Sequence, residues 1–294
     1  YIKNHEVFTM FDVIIVGNGP AGISAALYAC RGGLKTLVIG RDFGSLSKAD
    51  KIENYYGFEQ PIVGEELIQT GIKQAKRLGV TLITSEVVGV SYENNYLIKT
   101  NDEHYSATSV ILATGSTRSV PVIHGLTNFE GRGISYCAEC DAFFYRGKDV
   151  AVLGDGHYAL HEAQALLPLA KSVTLLTNGA NPKVTIPETI SVNEKKLLAF
   201  HGTDVLDSVK FQDDTTQTLS GVFIAVGVAG SDDLARKLGA QTSGTKIVIN
   251  ERMETNLPGL YAAGDCTGGM LQIAKAVYEG AMAGREAIKY IKKH

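Results

Sequence analysis

The sequence predicts an α/β protein made of two repeated βαβ units, the second inserted in the first. Three observations lead there. First, residues 12–39 (DVIIVGNGPAGISAALYACRGGLKTLVI) and 149–176 (DVAVLGDGHYALHEAQALLPLAKSVTLL) share one plan. Each opens on Asp-Val, runs through apolar residues, turns on Gly-x-Gly, enters a helical stretch and returns to an apolar strand. Second, each Gly-x-Gly sits between a strand-like run and a helix, where glycines let the backbone turn tightly and approach a phosphate. Third, the apolar strand LYAAG (260–264) lies near the C-terminus and is followed by a helical pattern over Gln272–Lys289, apolar at Ile273, Ala276, Val277 and Ala281. These last elements complete the first unit, so the second is an insertion.

Both units are therefore expected to be Rossmann-like dinucleotide-binding domains, each a ββα three-layer sandwich. The first takes residues 10–117 and 246–294, the second takes 118–245, and hinges are expected near 116–121 and 244–248. Residues 1–9 (YIKNHEVFT) lack the long apolar core of a signal peptide. They are read as an expression remnant, with Met10 as the native start.

Composition narrows the function. The chain has 294 residues, 45% of them apolar, enough for a sizeable core. A net charge of −3 argues against a nucleic-acid partner held by bulk charge. No apolar run reaches the roughly 18–20 residues of a membrane span. The stretch Val13–Cys30 is broken by Gly17, Gly19, Pro20 and Gly22. Four cysteines do not make a disulfide scaffold in a chain of this size, but two of them form Cys137-Ala-Glu-Cys140. That spacing suits redox chemistry or metal binding.

The first Gly-x-Gly-x-x-Gly reads Gly17-Asn18-Gly19-Pro20-Ala21-Gly22. A pyrophosphate is expected at the helix start that follows. Asp42, just past the return strand, is either the acid that binds ribose hydroxyls or a solvated loop acid. Ala113-Thr114-Gly115 closes another apolar strand. Asp265, after Gly264, either accepts bonds from a sugar alcohol or caps a turn. Cys30 and Cys266 read as small buried residues. His157 and His161 are four apart on one helix, but no third metal ligand is apparent, and no second Cys-x-x-Cys completes a zinc site.

Taken together, VGNGPAGISAALYACR, IENYYGF, ILATGS, GRGISYCAECDAFFYRGKDVAVLGDG and LPGLYAAGD resemble the low-molecular-weight flavin thioredoxin reductases, over nearly the whole chain from Met10. The resemblance implies non-covalent FAD in the first domain. Gly17, Gly19, Pro20, Ala21 and Gly22 would face its pyrophosphate, with Asp42 and the Thr114-Gly115 turn nearby. Asp265, in the Gly264-Asp265 turn, would bind the ribitol. Gln272 and Ile273 would meet the flavin ring, and Asn54 would line the site. Cys140 would abut the flavin, Cys137 would attack the disulfide of thioredoxin, and Asp141 would be the general acid and base. The resemblance also implies a cytoplasmic homodimer whose domains rotate. A cysteine attacks only as thiolate, and a position near a helix start favours that form, whereas the charge of Glu139 opposes it.

The second βαβ unit departs from that family. It keeps Gly154, Gly156 and Ala159, but Tyr158 stands where a small polar residue is usual, and Asp155 puts an acid in the phosphate turn. The family grips the 2′-phosphate of NADPH with an Arg-rich run after the next strand. Here that stretch reads LLTNGANPKV (175–184), in which only Lys183 is basic. No acid at Thr177 or Asn178 selects NADH instead. Two lost bonds to a charged group remove about 3–6 kcal/mol of binding, roughly 10²- to 10⁴-fold. The chain thus looks most like the ferredoxin-dependent flavin thioredoxin reductases of clostridia, and reduced ferredoxin is the expected donor. The alternatives are an NAD(P)H- or deazaflavin-dependent reductase, a small-molecule dithiol oxidase, and a non-catalytic redox sensor.

Overall fold

The structure is a computed structural model, and it describes residues 9–115 and 121–294. The chain begins with β1 (Thr9–Val16), whose Val13, Ile14, Ile15 and Val16 are all buried. A strand covered on both faces reads as such a continuous apolar run. Thr9, assigned above to a remnant, pairs with Tyr105 as part of this strand. α1 (Pro20–Arg31) carries the chain over to β2 (Thr36–Gly40), parallel to β1. α2 (Gly64–Arg77) then leads to β3 (Thr81–Thr84), parallel to β2. An antiparallel meander follows, through β4 (Val87–Tyr92), β5 (Tyr96–Thr100) and β6 (His104–Leu112). β6 also lies parallel to β1 and so joins the meander to the βαβ unit.

The second unit has β7 (Ile134–Ser135), α3 (Ala138–Asp141), β8 (Asp149–Leu153), α4 (His157–Leu166), β9 (Ser172–Leu176) and β10 (Ser191–Asn193). It continues through β11 (Leu197–Gly202), β12 (Leu206–Phe211), β13 (Thr216–Thr218) and β14 (Gly221–Ile224). Five strands form a parallel sheet in the order β10-β9-β8-β14-β7, and β11-β12-β13 form an antiparallel one. Leu153, Leu176 and Ile224 of the parallel sheet share a core with Phe200, Val209 and Phe211 of the antiparallel sheet. α4 buries Tyr158, Ala159, Ala163 and Leu166. Helix, parallel sheet and antiparallel sheet are the three expected layers.

The chain returns to the first unit through α5 (Ser231–Leu238), the hairpin β15 (Thr242–Ser243) and β16 (Lys246–Ile247), then β17 (Leu260–Ala262) and α6 (Ile273–Lys293). β17 extends the main sheet beside β6, making seven strands. The two compact units divide at 117/118 and 229/230. The second division is therefore not at 245/246, and the hinge placed near 244–248 falls in the β15–β16 hairpin. Residues 230–245 belong to the first unit because Ser231 Oγ bonds Thr114 and β15 zips onto β16. Arg236 also ties α5 to the hairpin through Gly244 O at 2.6 Å. The other hinge, 116–121, lies almost wholly outside the described residues.

α1 and α6 pack closely because α6 carries Gly280 and Gly284 at the contact. A Cβ on Gly280 would lie 2.1 Å from Ala21 O, and one on Gly284 2.5 Å from Ala25 O. This approach fixes α6 against the helix that starts at the Gly-rich turn. Among the described residues no helix is long and apolar enough to cross a membrane.

Candidate functional site

The Gly-rich turn of the first unit is shaped by crowding on one side and openness on the other. Gly17 has φ +113, and a Cβ there would lie 2.2 Å from Ala113 O. A Cβ on Gly22 would lie 1.8 Å from Gly17 O. A Cβ on Gly19, by contrast, would meet nothing within 4 Å. Gly19 is the N-cap of α1, supplies no side-chain cap, and is followed by Pro20 and a first turn without an acid. This is an uncapped, electropositive helix start facing open space, which suits an anionic diphosphate. The fit supports a dinucleotide cofactor at Gly19, Pro20, Ala21 and Gly22.

Of the expected residues, Thr114 borders this turn, its N lying 3.1 Å from where a Cβ on Gly17 would be. Thr114 N–H donates to Ser231 Oγ at 3.3 Å, and the two hydroxyls share a short hydrogen bond. Gly115 follows with φ +82. Asn54 Nδ2 donates to Gln272 Oε1 at 3.0 Å, so those two side chains meet at the start of α6. Gln272 is the N-cap of α6, again without a side-chain cap, and Ile273 is its first residue. Asp42 is tied within its own loop: Oδ2 accepts from Arg41 Nε at 2.8 Å and Oδ1 from Gly44 N–H at 2.8 Å. Burial works against its charge, but these bonds and the Arg41 guanidinium hold its carboxyl below the usual range. Both oxygens already have partners, so ribose hydroxyls would have to share them.

Asp265 opens a short 3₁₀ turn, Asp265–Thr267, and its backbone O accepts from Lys246 Nζ at 3.0 Å. Two residues overlooked in the sequence organise this turn. Lys275 and Glu279 form an ion pair at 3.1 Å, four apart on α6. Glu279 Oε2 accepts from Gly264 N–H at 2.8 Å, and Lys275 Nζ donates to Gly264 O at 2.7 Å. The i, i+4 spacing was a visible signal, but such pairs usually lie on a solvated face. Cys266, beside them, is buried, and burial pushes its thiol up to about 11. Cys30 Sγ donates to Leu78 O.

In the second unit Cys137 and Cys140 form a disulfide across the start of α3. Cys137 is the N-cap of α3, and its Sγ accepts from Cys140 N–H at 3.2 Å. Cys137 is buried, whereas Cys140 is exposed. Ser135 links Cys137 to Asp141: its Oγ accepts from Cys137 N–H at 3.1 Å and donates to Asp141 Oδ2 at 2.7 Å. Glu162 of α4, 1% exposed, accepts from Ala138 N–H at 2.8 Å. Neither Ser135 nor Glu162 was singled out in the sequence. The one signal for Glu162 was an acid on the inward face of the helix.

The second Gly-rich turn is built like the first: a Cβ on Gly154 would lie 2.2 Å from Ala225 O, and one on Gly156 would meet only Gly227 O at 3.7 Å. The acid in that turn is occupied. Asp155 pairs with Lys183 Nζ at 2.8 Å, and Asp155 O accepts from Lys183 N–H at 2.7 Å. The loop from 177 to 183 is tied to the segment between β10 and β11. Asn178 Oδ1 accepts from Leu197 N–H at 2.8 Å, and Gly179 N–H donates to Glu194 O at 2.9 Å. Tyr158, the second residue of α4, is fully buried. Among the described residues no three His, Cys, Asp or Glu side chains gather to hold a metal.

The chain is similar to known proteins over most of its length. The model of the pyridine nucleotide-disulphide oxidoreductase family matches residues 11–280. The thioredoxin reductase of Aquifex aeolicus is 34% identical over 303 residues, covering 95% of this chain and 92% of that protein. The crystal structure of the atypical thioredoxin reductase of Desulfovibrio vulgaris Hildenborough is 41% identical, with a TM-score of 0.92 over 96% of this chain and 98% of that one. That of a ferredoxin-flavin thioredoxin reductase from Clostridium acetobutylicum is 30% identical, with a TM-score of 0.73 over 98% and 100%. The chain thus belongs to the pyridine nucleotide-disulphide oxidoreductase family and, within it, to the thioredoxin reductases, which are FAD-dependent disulfide oxidoreductases.

Proposed function

We propose that the chain reduces the disulfide of thioredoxin through FAD and the Cys137–Cys140 pair, and that its electrons come from reduced ferredoxin instead of NADPH. The observation that carries the donor assignment is the loop 177–183. It offers no arginine to a 2′-phosphate, and Lys183 is neutralised by the acid of the phosphate turn itself. A nucleotide would have to displace that pair and accept Asp155 beside its own negative charge. The likeness to the clostridial ferredoxin-flavin enzyme supports the same donor. A flavin can accept single electrons and pass on two, so two reduced ferredoxins would serve one turnover.

FAD is assigned to the first unit. Its pyrophosphate would lie on the N-terminus of α1 at Gly17, Gly19, Pro20, Ala21 and Gly22. Asp265 would meet the ribitol, and Asn54, Gln272 and Ile273 the ring. Thr114 and Gly115 would border it, and Asp42 is the remaining candidate for the ribose. When bound, FAD supplies the two electrons that open the Cys137–Cys140 disulfide.

The second unit's residues do the rest. The Cys140 N–H aimed at Cys137 Sγ stabilises a thiolate there, which favours Cys137 as the attacking sulfur. That thiolate would open the thioredoxin disulfide. Cys140 would then displace reduced thioredoxin and re-form the internal disulfide. Asp141, held by Ser135, would exchange the proton with the departing sulfur. Because Cys137 is buried in the disulfide form, attack on a protein disulfide requires it to be uncovered. A cytoplasmic homodimer is part of the same reading. Anaerobic mixing tests the donor. Reduced ferredoxin should bleach the flavin near 450 nm, and NADPH should not. Bleaching by NADPH at micromolar concentration would overturn the assignment.

A further inference from the structure

We propose that Lys275 and Glu279 are a positioning pair that holds the Gly264–Gly268 turn against the first turn of α6 and keeps the charge that the flavin meets there balanced. The inference rests on the placement of FAD proposed above. Lys275 is the third residue of a 21-residue helix, at the positive end that a cation ordinarily avoids. Its side chain is only 14% exposed. Something must repay both the dipole and the lost water.

The contacts supply it. Lys275 Nζ lies 2.7 Å from Gly264 O, 2.8 Å from Thr267 Oγ1, 2.6 Å from Gly268 O and 3.1 Å from Glu279 Oε2. Glu279 Oε2 accepts in turn from Gly264 N–H at 2.8 Å and from Thr267 Oγ1 at 2.9 Å. The pair therefore grips both ends of the turn, and through Gly264 both the N–H and the carbonyl of one residue. Gly264, Gly268 and Gly269 have φ of +88, +83 and +70. A chain so rich in left-handed glycines does not hold one shape by itself. Without the ammonium, Gly268 O would lose its bond from Lys275, and Gly264 O would keep only its bonds from Thr267 N–H and Oγ1. Asp265 lies inside this turn, so its direction depends on the pair.

Stability alone does not account for the choice of residues. A buried ion pair contributes little beyond what a well-packed apolar pair would. What charge adds is a fixed ammonium and carboxylate beside the start of α6, where Gln272 and Ile273 are placed against the flavin ring. Their net effect on an added electron is near zero as a pair and of opposite sign when either is removed.

The test uses the FAD-loaded protein. Lys275→Met, Glu279→Gln and the double variant Lys275→Gln/Glu279→Gln are compared with wild type for flavin midpoint potential and FAD dissociation constant. Lys275→Met leaves a lone carboxylate and should lower the potential, and Glu279→Gln leaves a lone ammonium and should raise it. The double variant should fall between them. Each single variant should hold FAD roughly tenfold more weakly, the loss of one charged contact's worth. If Lys275→Met yields no folded protein, Glu279→Gln should still lie above the double variant. Single variants that shift the potential in the same direction, or not at all with FAD held within about twofold of wild type, would overturn the inference. Wild-type protein that takes up no FAD would overturn the flavin reading and this inference with it.

Discussion

Replacing Gly280 by alanine should damage the flavin site through a backbone contact. A methyl at residue 280 would lie 2.1 Å from Ala21 O, 2.8 Å from Ala21 C and 3.0 Å from Ala21 Cα. Unstrained carbon contacts begin near about 3.5 Å, so α1 and α6 must separate locally by roughly 1 Å. The atoms in the way are backbone, so no rotamer change relieves them. Overpacking of this kind costs about 1–3 kcal/mol. Alanine returns up to about 1 kcal/mol in a helix interior, leaving a net loss of about 0–2 kcal/mol. At a few degrees per kcal/mol, the melting temperature should fall by up to roughly 8 °C. The displaced residue, Ala21, belongs to the Gly-rich turn, so FAD content after dialysis should fall as well. Gly19→Ala provides the contrast. Gly19 has φ −73, and its Cβ would meet nothing in the protein. The apoprotein should keep its stability to within about 0.5 kcal/mol. FAD affinity should still drop, because the methyl enters the space assigned to the pyrophosphate. A Gly280→Ala protein that keeps full FAD after dialysis, or a Gly19→Ala protein that binds FAD as wild type does, would contradict this.

Three further outcomes follow from the second unit and from Cys266. Cys140→Ser and Cys137→Ser should each keep FAD and lose thioredoxin reduction in a coupled insulin-turbidity assay; near-normal turnover by either would remove the pair from the mechanism. Asp141→Asn should slow the thiol–disulfide step by roughly 10²-fold, the scale of a lost general acid. An unchanged single-turnover rate would leave Asp141 as a residue that only anchors Ser135. Burial disfavours the Cys266 thiolate and raises its pKa to about 11. Cys266 should therefore resist alkylation in the native protein at pH 8 and react on unfolding. Rapid native labelling, mapped by mass spectrometry, would contradict that.

The sequence made the architecture legible where a local pattern determines a local structure. Val13–Val16 and Val150–Leu153 are apolar runs ended by Gly-x-Gly, and both became central parallel strands. Asn54 and Gln272 were named on resemblance, and their side chains meet. The return to the first unit was placed too late because nothing in Gly230–Ser231 resembles a linker. Its membership depends on Ser231 reaching Thr114, 117 residues away in the chain. Lys275 and Glu279 escaped notice for a related reason. Four-residue charge spacing on a helix usually means a solvated face, and only the fold reveals that this face is turned onto Gly264. Ser135 and Glu162 act on backbone N–H groups, and no residue pattern announces such a partner.

Which donor reduces the flavin tests most directly whether this thioredoxin reductase takes its electrons from something other than a pyridine nucleotide. The FAD-loaded protein is mixed anaerobically with about 0.2 mM NADPH, a concentration well below the roughly millimolar affinity expected without the arginine contacts, or with reduced ferredoxin. Absorbance near 450 nm is followed, and thioredoxin thiols are then counted. Rapid bleaching by ferredoxin, electron transfer on to thioredoxin, and negligible bleaching by NADPH over seconds is the predicted result. Saturable reduction by NADPH with low-micromolar affinity and matching turnover would contradict it, and would mean that groups other than the 177–183 loop bind the 2′-phosphate.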